Sequence, residues 1–176
     1  TMRTAVYSGS FNPLHIGHLA IMKHLTGKGG YDCVRLIVSP KNPLKDSISS
    51  SSGTERYNAA KEAVGRHFPE SGKVTVDDIE LNMPEPHYTI RTLDELKKQH
   101  PADTFTLVIG SDNLADIRRW KEYRRILSEY GVLVYPRSGF DTDAIKTDLL
   151  VEDPSYRIEI LEAELVDISS TVIREG

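Results

Sequence analysis

The sequence is poor in cysteine, in long apolar runs and in excess positive charge. Its one cysteine, Cys33, excludes an intrachain disulfide framework and a cysteine-cluster zinc site. No apolar run approaches the ~20 residues of a membrane-spanning helix, and no signal-peptide pattern is present. Lys and Arg total 22 against 26 Asp and Glu, a net charge of −4, which argues against the basic face that non-specific nucleic-acid binding needs. We therefore expect a cytoplasmic protein that binds neither nucleic acid nor membranes.

What the chain does contain is enough apolar material for one core. It has 176 residues, of which 39% are hydrophobic. A globular chain of this length typically buries about 70% of its unfolded surface, so it needs no disulfide or metal to fold. No internal repeat or linker divides it. The expectation is a single domain over residues 1–176.

Short apolar runs alternate with helical patterns along the chain. Strands are predicted at residues 3–7, 33–38, 74–76, 105–109 and 132–135, with a further candidate at 157–160. Helices are predicted to begin near residues 16, 54, 88, 114 and 169, and the one over 114–128 is expected to break near Trp120. Continuous apolar strands that alternate with helices predict an α/β fold, a doubly wound Rossmann-like parallel sheet of about five strands with helices on both faces.

The segment after the first strand has neither common phosphate-binding glycine pattern. It lacks the Gly-x-Gly-x-x-Gly of dinucleotide folds and the Gly-Lys-Ser/Thr ending of a P-loop. It carries instead His15 and His18, three residues apart beside a helix start, where free backbone N–H groups and the helix dipole favour an anion. The alternatives are one capping and one packed histidine, or a zinc site. Zinc would need a third ligand, and no carboxylate lies between the two histidines.

A second anion-binding pattern stands near the end of the sequence. Ser169, Ser170 and Thr171 offer hydroxyl and backbone N–H groups at a predicted helix start, and Arg174 returns to the same helix face. A cation there opposes the helix dipole, and an anion held between the two would resolve that conflict. An ordinary serine cap with an exposed arginine is the alternative. Asp112, after the fourth strand, is either a helix cap or part of a ligand site.

These segments together resemble the nucleotidyltransferase α/β phosphodiesterase superfamily. Both of its signatures are complete, as His15-Ile16-Gly17-His18 and Ser169-Ser170-Thr171-Val172-Ile173-Arg174. Within the superfamily, residues 9–13, 40–45, 86–93 and 110–112 with Trp120 resemble the bacterial nicotinate-nucleotide adenylyltransferase family. The resemblance implies adenylyl transfer from ATP to nicotinate mononucleotide, giving nicotinate adenine dinucleotide and pyrophosphate, a step of NAD biosynthesis.

The resemblance also implies where ATP binds. His18, His15 and Arg174 would be the catalytic residues, and Mg²⁺ would bridge the phosphates through oxygen atoms, with no protein side chain assigned to the metal. The implied ATP-binding residues are Gly9, Ser10, Phe11, His15, His18, Gly110, Asp112, Ser169, Ser170, Thr171 and Arg174.

The implied acceptor-binding residues are Asn42, Lys45, Tyr88, Thr89 and Trp120. The last three would lie near the pyridine ring, since an aromatic face beside a polar donor suits a flat ring that bears a carboxylate. Core packing is the alternative for Trp120. The family commonly has His where Leu44 stands, so this sequence has one donor fewer in the second-strand loop. Family members also usually continue past the second signature through a short helical tail, which is expected to be trimmed or disordered here.

Two other functions are compatible with the signatures. Phosphopantetheine adenylyltransferases share both, but they typically have Thr at the position of His15 and lack the Tyr88-Thr89 helix start. A catalytically silent nucleotide-binding regulator is the second alternative. Nicotinamide mononucleotide as a second acceptor, and assembly into a homo-oligomer, both stay open.

Overall fold

The described part of the chain forms one parallel sheet. Its strands are β1 Arg3–Gly9, β2 Cys33–Val38, β3 Val74–Asp77, β4 Thr104–Gly110, β5 Val132–Tyr135 and β6 Ile158–Ile160. All six are parallel, in the order β3-β2-β1-β4-β5-β6. The structure is a computed structural model that describes residues 2–9, 16–27, 30–39, 53–69, 73–83 and 88–161. The predicted α/β class is confirmed, and β6 is the candidate sixth strand.

Both faces of the sheet are buried, which explains why its strands are nearly continuous apolar runs. Successive residues of a strand point to opposite faces. In β1, Val6 therefore packs into one hydrophobic cluster, whereas Ala5 and Tyr7 pack into the other. In β4, Leu107 belongs to the first cluster and Val108 to the second. The core thus consists of two layers, one on each side of the sheet.

Helices cover both layers. The helices α1 Ile16–Thr26 and α2 Gly53–His67 bury Met22, Leu25 and Val64 against the face that carries Tyr7. The helix α3 Thr89–Gln99 buries Leu93 and Leu96 on the opposite face. That face is also covered by residues from three further helices: α4 Ser111–Ala115, α5 Tyr123–Arg125 and α6 Thr142–Glu152. None of the described helices is long and apolar enough to cross a lipid bilayer.

The helix predicted over 114–128 is broken near Trp120, as expected. A 3₁₀ turn, Ile117–Arg119, separates α4 from α5, Glu122 just before α5 has a left-handed φ of 54°, and a π turn, Ile126–Tyr130, follows α5. No structure was predicted for 137–156, where α6 lies. Asp141 caps α6, and its side chain accepts a hydrogen bond of 3.1 Å from the backbone N–H of Ala144. The helix predicted to begin near residue 169 lies outside the described residues.

The strand order places a crevice between β1 and β4. Chain connections leave these two central strands toward opposite faces of the sheet, so the segments after them diverge. In doubly wound sheets, ligands bind at this point, beyond the carboxyl ends of the strands. Gly9 ends β1 and Gly110 ends β4, so both lie at this edge.

Candidate active site

His18 lies in the first turn of α1, at the carboxyl edge of β1. Its half-buried ring meets Tyr7 edge-to-face, with ring centroids 5.6 Å apart and an interplanar angle of 75°. Tyr7 is itself 4% exposed in β1. An edge-to-face contact orients a ring. The His18 ring therefore packs partly against Tyr7, as the alternative of a packed histidine expected, although the residue lies at the crevice.

A tyrosine pair continues inward from His18. The Tyr7 hydroxyl donates a hydrogen bond to the Tyr135 hydroxyl, which also accepts one from the exposed Arg137 guanidinium. Their rings lie 6.2 Å apart at 65°. Burial raises the pKa of Tyr7 well above its usual value, and burial also raises the pKa of Tyr135. Both hydroxyls stay protonated at neutral pH, so the pair supports His18 and supplies no base.

Sequence reasoning missed Tyr135 and Arg137. The predicted site residues follow the first, second and fourth strands, whereas Pro136 and Arg137 follow Tyr135 at the end of the fifth. Because β5 pairs with β4, its carboxyl end adjoins the crevice. A charged residue directly after a predicted strand is thus the signal that marks Arg137.

The turn after β4 brings three residues into tight contact. A Cβ placed on Gly110 would lie 2.6 Å from Oδ1 of Asp112, 2.9 Å from the Tyr135 ring and 3.0 Å from Cδ of Arg137. Ser111 is fully buried, and its hydroxyl accepts a hydrogen bond of 2.8 Å from the backbone N–H of Arg137. These contacts join the ends of β4 and β5 into one wall of the crevice.

Asp112 is not the cap of α4, because Gly110 occupies the N-cap position. Its Oδ1 atom is buried and has no hydrogen-bond partner among the described residues. A buried carboxylate oxygen normally has a donor. The position of Asp112 at the end of β4 is compatible with the ATP-binding role that the resemblance implied.

The predicted acceptor residues Tyr88, Thr89 and Trp120 occupy neighbouring segments. Tyr88 is the N-cap of α3 and is 43% exposed, and Thr89 is the first residue of that helix. Lys121, next to Trp120, has its Nζ atom 5.8 Å from the centroid of the Tyr88 ring. Trp120 is half-buried and packs against the core below α3, so the core-packing alternative holds for part of its side chain. Lys121 was not predicted from the sequence.

The remaining predicted site residues lie outside the described part of the chain. They are Ser10, Phe11, His15, Asn42, Lys45, Ser169, Ser170, Thr171 and Arg174. Their roles stay predictions.

Comparison with known proteins assigns the family. Residues 6–176 match the cytidylyltransferase-like family. A Bacteroides fragilis (strain YCH46) protein named "Probable nicotinate-nucleotide adenylyltransferase" is 40% identical over 174 residues, which are 99% of this chain and 81% of the relative. A Flavobacterium psychrophilum protein of the same name is 37% identical over 175 residues, 99% of this chain and 86% of that protein. The chain belongs to the nicotinate-nucleotide adenylyltransferase family.

Solved structures agree with this assignment at the level of the fold. The Plasmodium falciparum nicotinic acid mononucleotide adenylyltransferase complexed with APC superposes with a TM-score of 0.74 at 21% identity, covering 96% of this chain and 80% of that one. The same enzyme complexed with NaAD gives a TM-score of 0.72 at 22% identity, covering 92% of this chain and 76% of that one. The nicotinate-nucleotide adenylyltransferase family is thus matched in sequence, and its fold in structure.

Proposed function

We propose that this protein transfers the adenylyl group of ATP to nicotinate mononucleotide, releasing pyrophosphate and forming nicotinate adenine dinucleotide, a step of NAD biosynthesis. The observation that carries the proposal is the 40% identity to a nicotinate-nucleotide adenylyltransferase relative over 99% of the chain. The crevice between β1 and β4 supports it, since it has the position at which this class of fold binds nucleotides.

The reaction needs no nucleophile from the protein. An oxygen of the acceptor phosphate attacks the α-phosphorus of ATP, and the bond from that phosphorus to the bridging oxygen breaks as pyrophosphate leaves. Catalysis of such a transfer consists of positioning the two phosphates and stabilising charge on the transferring group. The protein therefore has to supply donors, cations and a rigid frame.

His18 is placed to supply one of those donors. It stands in the first turn of the 11-residue helix α1, where the helix dipole favours an anion. Tyr7 orients its ring from below, as described above. We propose that His18 donates to the α-phosphate as charge builds there, and that His15, Arg174 and the N–H groups of Ser170 and Thr171 hold the triphosphate.

The other implied ATP contacts follow the edge of the sheet. Gly9 is proposed to allow close approach of the nucleotide to the end of β1, and Ser10 and Phe11 are proposed to contribute backbone N–H groups. The space beside Gly110 is filled by Asp112, Tyr135 and Arg137, so Gly110 is proposed to contact ATP through its backbone. Asp112 accepts a hydrogen bond from the adenosine or orders the site. Ser169 completes the second signature.

At the acceptor end, the geometry favours an aromatic ring that bears a carboxylate. Tyr88 and Trp120 offer aromatic surface, Thr89 offers a hydroxyl and the start of α3, and the Lys121 ammonium lies beside the Tyr88 ring. Nicotinate has a carboxylate where nicotinamide has a neutral amide, so Lys121 would favour the acid. Asn42 and Lys45 are proposed to contact the acceptor phosphate.

Mg²⁺ is proposed to enter with ATP. In the described part of the chain, no three His, Cys, Asp or Glu side chains lie together as a metal site. Mg²⁺ usually keeps several waters and would be held mainly by phosphate oxygens, where it would neutralise charge on the phosphates.

A pyrophosphate-release assay with an acceptor panel tests the function. ATP and Mg²⁺ are supplied with nicotinate mononucleotide, nicotinamide mononucleotide or phosphopantetheine. We expect the highest kcat/KM with nicotinate mononucleotide. Phosphopantetheine as the best acceptor would assign the protein to the related transferases, and ATP binding without turnover on any acceptor would assign a regulator. The cytoplasmic location and the single domain over 1–176 stay predictions.

A further inference from the structure

Arg56 is a buried cation beside the carboxyl end of β2. It lies in the first turns of α2 and is only 5% exposed. Arginine is rarely buried to this extent unless its donors are satisfied. One of them is satisfied by the chain itself, because Nη1 of Arg56 donates a hydrogen bond of 2.7 Å to the backbone carbonyl of Ser39.

The acceptor of that bond stands where two central strands end. Ser39 directly follows β2, and its backbone N–H donates a hydrogen bond of 2.9 Å to the carbonyl of Gly9, the last residue of β1. Both backbone polar groups of Ser39 are therefore held, the N–H by β1 and the carbonyl by α2. The series Arg56–Ser39–Gly9 thus links α2 to the ends of two neighbouring strands.

An apolar side chain could fill the same space but could not make this link. Burial lowers the pKa of Arg56, yet a guanidinium stays charged at neutral pH. A hydrogen bond from a charged donor is stronger than a neutral one, and losing it leaves a carbonyl without that donor. Lysine keeps the charge but not the planar, multi-donor geometry.

We propose that Arg56 is a positioning residue for adenylyl transfer: it fixes Ser39 and, through it, Gly9, and so sets the position of the end of β2 relative to the end of β1, the strand that borders the crevice. It touches neither substrate. The kinetic part of this inference rests on the proposed function, whereas the structural part does not.

Hydrogen exchange at the Ser39 amide tests the structural part without substrate. In Arg56→Met, we expect this amide to exchange about 10-fold to 100-fold faster, since the loss of a charge-assisted hydrogen bond has that effect on a local opening equilibrium. The control is the Val34 amide at the other end of β2, which donates a hydrogen bond to the backbone carbonyl of Lys73. Its exchange rate should be unaffected. Equal acceleration at both amides would mean general destabilisation, and no acceleration at Ser39 would mean that the bond positions nothing; either result overturns the inference.

Steady-state kinetics test the functional part. We expect kcat of Arg56→Met to fall about 10-fold or more, with smaller changes in KM for ATP and the acceptor, because misplaced groups react slowly even when bound. Arg56→Ala leaves room for guanidinium, which should restore part of kcat. The matched control is Arg66, an exposed residue at the other end of α2, and Arg66→Met and Arg66→Ala should behave as wild type.

Two kinetic outcomes would refute the positioning role. One is wild-type kcat/KM per folded molecule, with only the unfolding temperature lowered. The other is a loss confined to one KM, which would indicate direct substrate contact. If Arg56→Met fails to fold, Arg56→Lys replaces it in both experiments. A wild-type protein that is silent with every acceptor would refute the proposed function, and the exchange experiment would still decide the structural part.

Discussion

Gly110 has no room for a methyl group, so Gly110→Ala tests the packing of the crevice wall. A Cβ there would stand 2.6 Å from Oδ1 of Asp112, 2.9 Å from the Tyr135 ring and 3.0 Å from Cδ of Arg137. The backbone of Gly110 is extended, with φ −85° and ψ 165°, so alanine adopts it without strain. Any effect of the substitution is therefore steric.

The loss of stability depends on whether the side chains around the new methyl group can move. The Arg137 stem is flexible and exposed, but the Tyr135 ring is held by its hydrogen bonds to Tyr7 and Arg137. Overpacking of this kind costs about 1–3 kcal/mol, or about 2–12 °C in unfolding temperature for a chain of this length. Asp112 should also be pushed from the crevice, and kcat/KM should fall by about tenfold or more.

Gly65→Ala is the matched control. Gly65 is exposed in the last turn of α2, and a Cβ there would meet nothing within 4 Å. Alanine in a helix is more stable than glycine by about 0.5–1 kcal/mol, so this variant should melt slightly higher than wild type with full activity. Thermal unfolding followed by circular dichroism measures both variants, with pyrophosphate release as the activity assay. If Gly110→Ala melts at the wild-type temperature and keeps its activity, Gly110 is not closely packed against Asp112, Tyr135 and Arg137.

Three further predictions concern His18, Glu152 and Lys121. His18→Ala should lower kcat by about 10²-fold or more while KM for ATP changes little, as expected for a donor that acts mainly in the transition state; comparable losses in both would mean uniform binding. Hydrogen bonds from Tyr156, Arg118 and Tyr123 lower the pKa of Glu152 to about 2, so its stabilising effect is present above its ordinary pKa of 4.5 and is lost as pH falls toward 2. The difference in unfolding free energy between wild type and Glu152→Gln should therefore shrink over that interval in urea titrations, and a constant difference would contradict the network. Lys121→Gln should reduce the kcat/KM ratio of nicotinate to nicotinamide mononucleotide by about two- to fivefold, and an unchanged ratio would remove Lys121 from the acceptor site.

The strands and the amphipathic helices could be predicted because their signals are local. The apolar run Phe105–Ile109 fits a strand covered on both faces, and it lies within β4. Ile90, Leu93 and Leu96 recur at helical spacing, and all three are buried under α3. Burial of one stripe, or of two faces, leaves a periodic pattern in the sequence.

Segments that bury few residues were missed because they leave only a weak periodic pattern in the sequence. The helix α6 buries only Thr142 and Leu149, so its apolar period is faint. Its one clear signal was Asp141, a helix-capping residue type. The break near Trp120 was anticipated, but the left-handed φ of Glu122 within it was not, because no glycine or asparagine marks that position.

Part of the site could also be inferred from the sequence. His18, Gly9 and Asp112 were found by asking which polar or small residues follow a predicted strand, since parallel strands present their carboxyl ends at one edge. Arg56, Tyr135 and Lys121 were not found. Each contacts a partner that is remote in sequence: Arg56 contacts Ser39, Tyr135 contacts Tyr7, and Lys121 contacts Tyr88. The sequence around each residue gives no sign of that contact.

The amino-acid sequence alone determined that this chain alternates strands with helices and carries histidine, glycine and aspartate where those strands end. Only the tertiary structure decided that β4 lies beside β1, and that β5 brings Tyr135 to within hydrogen-bond reach of Tyr7. The reason is that local propensity and periodicity act over a few residues, whereas the pairing of parallel strands depends on the packing of the whole chain.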